Sequence, residues 1–146
     1  MLLVLPSKQL LASEGPFVSK TVKGEFSEVF AGLKDVIIGK GINIAHTLGS
    51  AEMLNRTAPA FNIKKNVFIN ADIVEFCSAK LSHELVAIDP RNIVLCPFTI
   101  SVYVLTDDPE NVHLTYRIPT ANKGSEKVVG KIVQLVKDII AEATDW

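Results

Sequence analysis

The feature that most limits the possible folds is a pair of alternating segments joined by a turn. The first segment, at 93–105 (IVLCPFTISVYVL), places one face of a strand on Phe98, Ile100, Val102 and Val104. The second segment repeats this with Val112, Leu114, Tyr116 and Ile118. The sequence DDPEN at 107–111 predicts the turn between them, with its proline set for a type I geometry. This pattern predicts an antiparallel hairpin that buries one face and leaves the other polar.

A proline interrupts the first of these strands. Pro97 has no amide hydrogen, so it fits a central strand poorly. Its position predicts an edge strand, a bulge or a strand that begins after the proline.

Helical periodicity marks the segments that must cover this hairpin. At 125–143 an apolar stripe recurs on one side of a helix, formed by Val128, Ile132, Leu135, Val136 and Ile139. A second helix is predicted from about residue 26 to Gly39 or Gly41, with Ser27 as its candidate cap. A third, near 78–88, is ended by Asp89-Pro90, because proline disfavours a helical residue before it.

The remaining segments complete the order of elements. Short strands are predicted at 17–23, 42–48 and 73–76, and a short helix at 50–57, while 58–66 contains a proline without clear periodicity and is predicted to be a loop. The resulting order indicates an α+β fold, with helices packed on an antiparallel or mixed sheet.

Composition excludes several classes of protein. The 146 residues fit one domain, expected at 17–146, after an N-terminal arm or residual signal-like segment at 1–16. The formal charge of −1, without a basic run longer than Lys64-Lys65, argues against nucleic-acid binding. No segment has the roughly 20 apolar residues of a transmembrane helix. Since no basic residue precedes the first apolar run, we expect a cytoplasmic rather than an exported protein.

One segment, FCSAKLSH, concentrates the groups that could carry chemistry. Cys77 lies at the predicted start of the third helix, where free amide groups favour a thiolate or an anion. Lys80 would add positive charge, and His83 shares its helix face. The segment could therefore be an activated thiol or an anion site. It could equally be a half-buried cysteine beside surface residues on an ordinary amphipathic helix.

A second thiol and another histidine widen the choice. Cys96 shares parity with Phe98, so we expect its side chain to pack in the core, with a bridge or a shared metal with Cys77 as the alternatives. Cys77, His83, Cys96 and His46 would suit zinc or copper, but their spacing fixes no geometry. Covalent haem is excluded because the sequence lacks CxxCH.

Several motifs in order resemble one family. The segments GKGINIAHTL, IVEFCSAKLSHELVAIDP, IVLCPFTISVYVL and LTYRIPT are similar to the domain-of-unknown-function family numbered 302. The resemblance implies a small α+β sandwich likened to the TATA-binding-protein topology, often dimeric, without implied DNA binding. It matches the family's recurring positions to Cys77, Lys80 and His83, and it assigns them no reaction.

Three hypotheses for function follow from these observations. The leading one is a binding module, perhaps homodimeric, that holds a small molecule, anion or metal near Cys77, Lys80 and His83, with Cys96 and His46 as further candidates. The second is an enzyme that uses Cys77 and Cys96 for thiol redox or sulfur-transfer chemistry. The third is a structural or interaction protein that acts as a homodimer, in which an exposed edge strand near Pro97 or the face bearing Tyr103 meets a partner.

Overall fold

The protein is described by a computed structural model that covers residues 12–145. Within that range a single six-stranded sheet is antiparallel throughout, with the strand order β1-β2-β6-β5-β4-β3. Its strands are β1 (Ala12–Glu14), β2 (Phe17–Lys23), β3 (Ile44–Gly49), β4 (Phe68–Phe76), β5 (Phe98–Leu105) and β6 (Asp108–Arg117). The helices are α1 (Phe26–Gly39), α2 (Ser50–Thr57), α3 (Ala79–Ile88) and α4 (Glu126–Ala143), with 3₁₀ turns at Ala58–Phe61 and Pro90–Leu95. The α+β class is confirmed.

The hydrophobic core lies between one face of the sheet and three of the helices. On the sheet side it takes the alternating residues of the hairpin, such as Ile100, Val102 and Leu114, all fully buried. On the helix side it takes the apolar stripes of α1, α3 and α4. The predicted stripe of α4 is confirmed, since Val128, Ile132, Val136 and Ile139 are buried and Leu135 is partly buried against the core. The opposite face of the sheet is covered only in part.

The hairpin is confirmed, but its start and its turn differ from the predictions. Residues 90–95 form a 3₁₀ helix instead of a strand, because Pro90 suits a first helical position and the Asp89 carboxylate accepts a hydrogen bond from the Arg91 amide at 2.9 Å. Since β5 lies between β4 and β6, Pro97 precedes a central strand, so the late start is right and the edge position is wrong. The turn is only 106–107, and Pro109 lies in β6 beside an irregular register.

Other elements also differ from the predicted boundaries. The strand predicted at 73–76 begins at Phe68 and is nine residues long. The segment 58–66 is not all loop, since its first residues continue α2 as the 3₁₀ turn Ala58–Phe61. Asn62 follows this turn with a left-handed φ of 56°. Such backbone is tolerated by asparagine more readily than by most residues.

The structure describes only part of the predicted N-terminal segment 1–16. Ala12–Glu14 forms an edge strand that pairs with β2, while 1–11 lie outside the described residues. The arm or signal-like segment expected there stays a prediction. None of the helices in the described range is long and apolar enough to cross a bilayer.

Candidate functional site

The two cysteines meet at one end of the central strands. Phe76 ends β4 and pairs with Phe98, the first residue of β5. Just beyond that last pair, Cys77 and Cys96 form a disulfide with their Cα atoms 5.9 Å apart. Both residues are half-buried. The expected core packing of Cys96 is therefore wrong, because the side chain leaves the core to reach Cys77; of the alternatives, the bridge is the one found.

Helix α3 begins immediately after the disulfide. Ser78 is its N-cap and accepts a hydrogen bond from the Leu81 amide at 3.4 Å, which satisfies one of the free amide groups of the first turn. Lys80 and His83 project from α3 into solvent. Among the hydrogen bonds and ion pairs of residues 12–145, none involves the side chain of Lys80 or of His83.

The predicted metal ligands do not converge. His46 is exposed on the edge strand β3, opposite Glu75 of β4, while His83 lies on α3. In the part of the chain that the structure describes, no three His, Cys, Asp or Glu side chains come together as a metal site requires. The disulfide also removes both thiolates from the proposed ligand set.

Polar contacts hold α3 in place independently of the disulfide. The buried Asn92 donates to the Leu85 carbonyl and to the Ser125 hydroxyl, both at 2.9 Å. Lys131 of α4 donates to Glu84 at 2.6 Å, which lowers the pKa of that carboxyl. These contacts join α3, the following 3₁₀ turn and the start of α4 into one unit.

The partly covered face of the sheet, which bears Tyr103 and is the face expected to meet a partner in the third hypothesis, carries a chain of hydroxyl groups. The Thr115 hydroxyl lies 3.0 Å from the Ser19 hydroxyl and 3.1 Å from the Tyr103 hydroxyl. The three residues stand on adjacent strands β2, β6 and β5, so their hydrogen bonds run across the sheet. Hydroxyl groups linked in this way satisfy one another without water.

Aromatic side chains border the same chain of hydroxyl groups. The Tyr103 ring stacks on His113 with centroids 5.1 Å apart and meets Phe68 edge-on at 5.5 Å. His113 also lies 2.9 Å from the Thr21 hydroxyl and 3.3 Å from the Asp108 carboxylate. Phe68 and Tyr103 also border a cleft of about 450 Å³ that is lined by Ser50, Phe68, Ala71, Asp72, Ile73, Ser101, Tyr103, Leu105 and Thr115.

One carboxylate at the cleft has a perturbed pKa. Burial raises the pKa of Asp72 above its ordinary value, and the nearby Lys34 ammonium offsets part of that effect. Asp72 pairs with the buried Val102 of the covered face, so its carboxylate faces the helices and not the open face. The hydroxyl and aromatic groups are what make the open face a second candidate beside the disulfide.

Comparison with known proteins identifies the family. A family profile described as "Domain of unknown function DUF302" matches residues 18–145. The chain belongs to the DUF302 family. The crystal structure of an uncharacterized conserved DUF302 protein from Bacillus stearothermophilus is similar, with a TM-score of 0.66 and 14% identity over 89% of this chain and 96% of that one. At that identity the likeness concerns the fold alone. A search of curated proteins found no match.

The DUF302 domain thus has two candidate sites. The sequence singles out the first by its cysteines, and it indicates the second only as a face bearing Tyr103 that could meet a partner. The disulfide involves two residues singled out from the sequence. The open face was visible as the polar half of the hairpin alternation, at Tyr103, His113 and Thr115. The sequence does not indicate the third member of the hydroxyl chain, Ser19, because only the fold places β2 beside β6 and so Ser19 beside Thr115.

Proposed function

We propose that the protein is a thiol–disulfide protein that exchanges two electrons through Cys77 and Cys96. The observation that carries this proposal is the pair itself: two cysteines 19 positions apart in sequence are bonded, and both remain half-exposed at the surface. Accessible disulfides are the ones that external thiols can attack, whereas structural disulfides are more often enclosed.

The reaction needs a thiol partner, either a small thiol or a cysteine of another protein. Its thiolate attacks the Cys96 sulfur, the Cys77–Cys96 bond breaks, and Cys77 leaves as a thiolate that takes up a proton. A second partner thiol then attacks the mixed disulfide, releasing the oxidised partner and leaving both cysteines as thiols. Two electrons and two protons enter the protein. In the reverse direction the Cys96 thiolate attacks the oxidised partner and releases one partner thiol, and the Cys77 thiolate then attacks the Cys96 sulfur, re-forms the disulfide and releases the second partner thiol.

Cys77 is assigned the leaving position because of its place before α3. A thiolate next to a helix N-terminus is favoured by the helix dipole and by free amide groups. Lys80, which is exposed on the first turn of α3, supplies positive charge three positions after Cys77. In this proposal Lys80, first considered as part of a ligand site, acts on the thiolate instead. His83 lies one turn further along α3.

Opening the disulfide leaves its surroundings supported. Phe76 and Phe98 stay paired in the sheet and in edge-to-face contact at 6.0 Å, and Asn92 still fixes the end of α3. Loss of a cross-link that closes a loop of this size costs about 3 kcal/mol. A domain of this size has a stability of roughly 5–15 kcal/mol, so the dithiol form is expected to stay folded.

The test is a redox titration under native conditions. The purified protein is equilibrated with mixtures of reduced and oxidised glutathione, and free thiols are then alkylated and counted by mass spectrometry. We expect both cysteines to become reduced in one step without denaturant, and the circular dichroism spectrum to keep its shape. If thiols appear only in denaturant, or if reduction unfolds the domain, the disulfide is a structural cross-link and the proposal fails.

Single variants test whether Cys77 is the thiol that is more readily ionised. Cys96→Ser leaves Cys77 alone, and Cys77→Ser leaves Cys96 alone. We expect Cys77 to form a mixed disulfide with oxidised glutathione faster, and Lys80→Gln to slow that reaction. Lys123→Gln, in an exposed loop, is the matched control that should change nothing. Equal rates for the two cysteines would contradict the assigned roles.

A second candidate function is small-molecule binding in the cleft of the open sheet face. It is favoured by the Tyr103 ring, which stands between Phe68 and His113 beside a volume of about 450 Å³, within the usual range for ligand sites. Native mass spectrometry, compared with the denatured mass, detects a retained molecule, and Tyr103→Ala should abolish retention. If the native mass equals the denatured mass, the protein carries no ligand through purification, and this candidate is rejected for such ligands. The expected homodimer stays a prediction that the same native spectrum measures.

A further inference from the structure

An exposed apolar surface lies at the end of the sheet opposite the disulfide. It is formed by Met53, Leu54, Phe61, Ile63 and Val67, and we name it, together with Arg56, Lys64 and Lys65, the apolar–basic patch. Phe61 is 72% exposed, Val67 61% and Ile63 53%. Side chains of this size are rarely left so exposed in a group without an occupant. They surround a groove of about 430 Å³ whose walls are almost entirely hydrocarbon.

A hydrogen-bonded frame keeps these side chains outside the core. The Thr106 amide donates to the Val67 carbonyl at 2.9 Å, and the Thr106 hydroxyl donates to the Asn66 carbonyl at 2.8 Å. Asn55 of α2 donates to the Phe68 carbonyl at 3.3 Å. The segment therefore has a fixed conformation, and its apolar side chains cannot turn inward without breaking it.

The charge of this segment is opposite to that of the rest of the protein. Residues 50–68 contain three basic residues and one acidic residue, Glu52, which gives the segment +2. The whole chain carries −1, so the remainder carries −3. Arg56 and Lys64 are exposed, and Lys65 lines the groove while donating to Asp107 at 2.6 Å. Basic groups are thus concentrated in the segment that carries this exposed apolar surface.

We propose that the apolar–basic patch docks the protein on an anionic membrane surface. Phe61, Ile63 and Val67 enter the boundary between headgroups and acyl chains. Arg56 and Lys64 contact the lipid phosphates. This combination of apolar anchors with basic residues is the one that binds peripheral proteins to anionic bilayers.

Charge favours a lipid surface over a second copy of this chain. In a twofold contact through the patch, each basic segment would face its own copy, and like charges would meet at the rim. An anionic bilayer neutralises all of them at once. One carboxylate that could oppose this, Asp107, is already paired with Lys65.

The test is co-sedimentation of the purified protein with vesicles. One set is pure phosphatidylcholine, and the other contains about 30 mol% phosphatidylglycerol. We expect binding to the anionic vesicles alone, weakening at least tenfold when salt is raised to about 0.5 M. Phe61→Ser with Ile63→Ser should lower binding roughly tenfold or more, and Lys64→Glu should lower it about fivefold or more.

Matched controls lie at the other end of the molecule. Ile93 and Val94 are 60% and 81% exposed on the 3₁₀ turn before β5, a strand that spans roughly 23 Å between the two ends. Ile93→Ser with Val94→Ser, and Lys123→Glu, should leave vesicle binding unchanged. Equal binding to both vesicle types, equal effects of control and patch variants, or no binding would each overturn the proposal. So would a patch variant that converts a dimer to a monomer, because a second copy would then occupy the patch.

Discussion

The two faces of the sheet use the same strands for opposite purposes. On the covered face, Val102 and Leu114 are fully buried under helices. On the open face, their immediate neighbours Tyr103 and Thr115 are half-buried and hydrogen-bonded to each other. A difference of one position in sequence thus separates residues that stabilise the fold from residues that are free to serve recognition. The alternation of a single hairpin therefore assigns both roles.

The physical causes of order on the two faces also differ. The covered face is held by removal of apolar surface from water, which is the largest favourable contribution to folding. On the open face, order depends on a few directional contacts among hydroxyl and aromatic groups. Substitutions should therefore be costly on the first face and mild on the second.

The largest expected effect is on the covered face. Leu114→Ala should lower the free energy of unfolding by about 3 kcal/mol, because it leaves a cavity in a close-packed core. Urea denaturation measures the change. Thr99→Ala, on the open face of the adjacent strand, should cost less than about 1 kcal/mol. Similar losses of unfolding free energy for the two variants would contradict the distinction between the faces.

Alkaline pH gives a smaller effect that again separates the faces. Burial raises the pKa of Tyr116, on the covered face and 3% exposed, to about 12. The fold therefore favours the neutral phenol. That contribution is complete below the unfolded pKa of about 10 and is lost as pH rises through the folded value. The free energy of unfolding should fall with pH in that window.

The measurement compares the wild type with Tyr116→Phe. Urea denaturation at increasing alkaline pH should show the decline in the wild type, and Tyr116→Phe should remove part of it. Absorbance titration of Tyr103→Phe, in which Tyr116 is the remaining tyrosine, should give the high pKa directly. An ordinary tyrosine titration in that variant would contradict the burial of Tyr116.

Much of the fold could be predicted from the sequence because its patterns are local. The stripe of α4 and the alternation around Leu114 depend only on the spacing of apolar residues. The stop at Asp89-Pro90 was also predictable, and α3 ends at Ile88. The 3₁₀ turn at 90–95 was missed because its apolar residues also fit a strand. What decided it was a side-chain hydrogen bond from the Arg91 amide to Asp89.

The candidate site was less predictable because it depends on contacts distant in sequence. Parity with Phe98 placed Cys96 in the core, but Pro97 separates it from the strand, so that parity does not extend to it. The bond to Cys77 follows from the pairing of Phe76 with Phe98, which single-sequence reasoning did not supply. Similarly, the contact of Ser19 with Thr115 joins positions 96 residues apart.

The smallest expected effect concerns the hydroxyl chain of the open face. Thr115→Val keeps the shape of the side chain and removes the hydroxyl that lies between Ser19 and Tyr103. The loss of these part-exposed hydrogen bonds should cost about 1 kcal/mol. Thr99→Val is the matched control, since in residues 12–145 the Thr99 side chain makes no hydrogen bond. Urea denaturation of both variants should show a loss for Thr115→Val alone. Equal free energies of unfolding would mean that the hydroxyl chain does not stabilise the fold. Order on this face would then depend on the stacking of Tyr103 with His113.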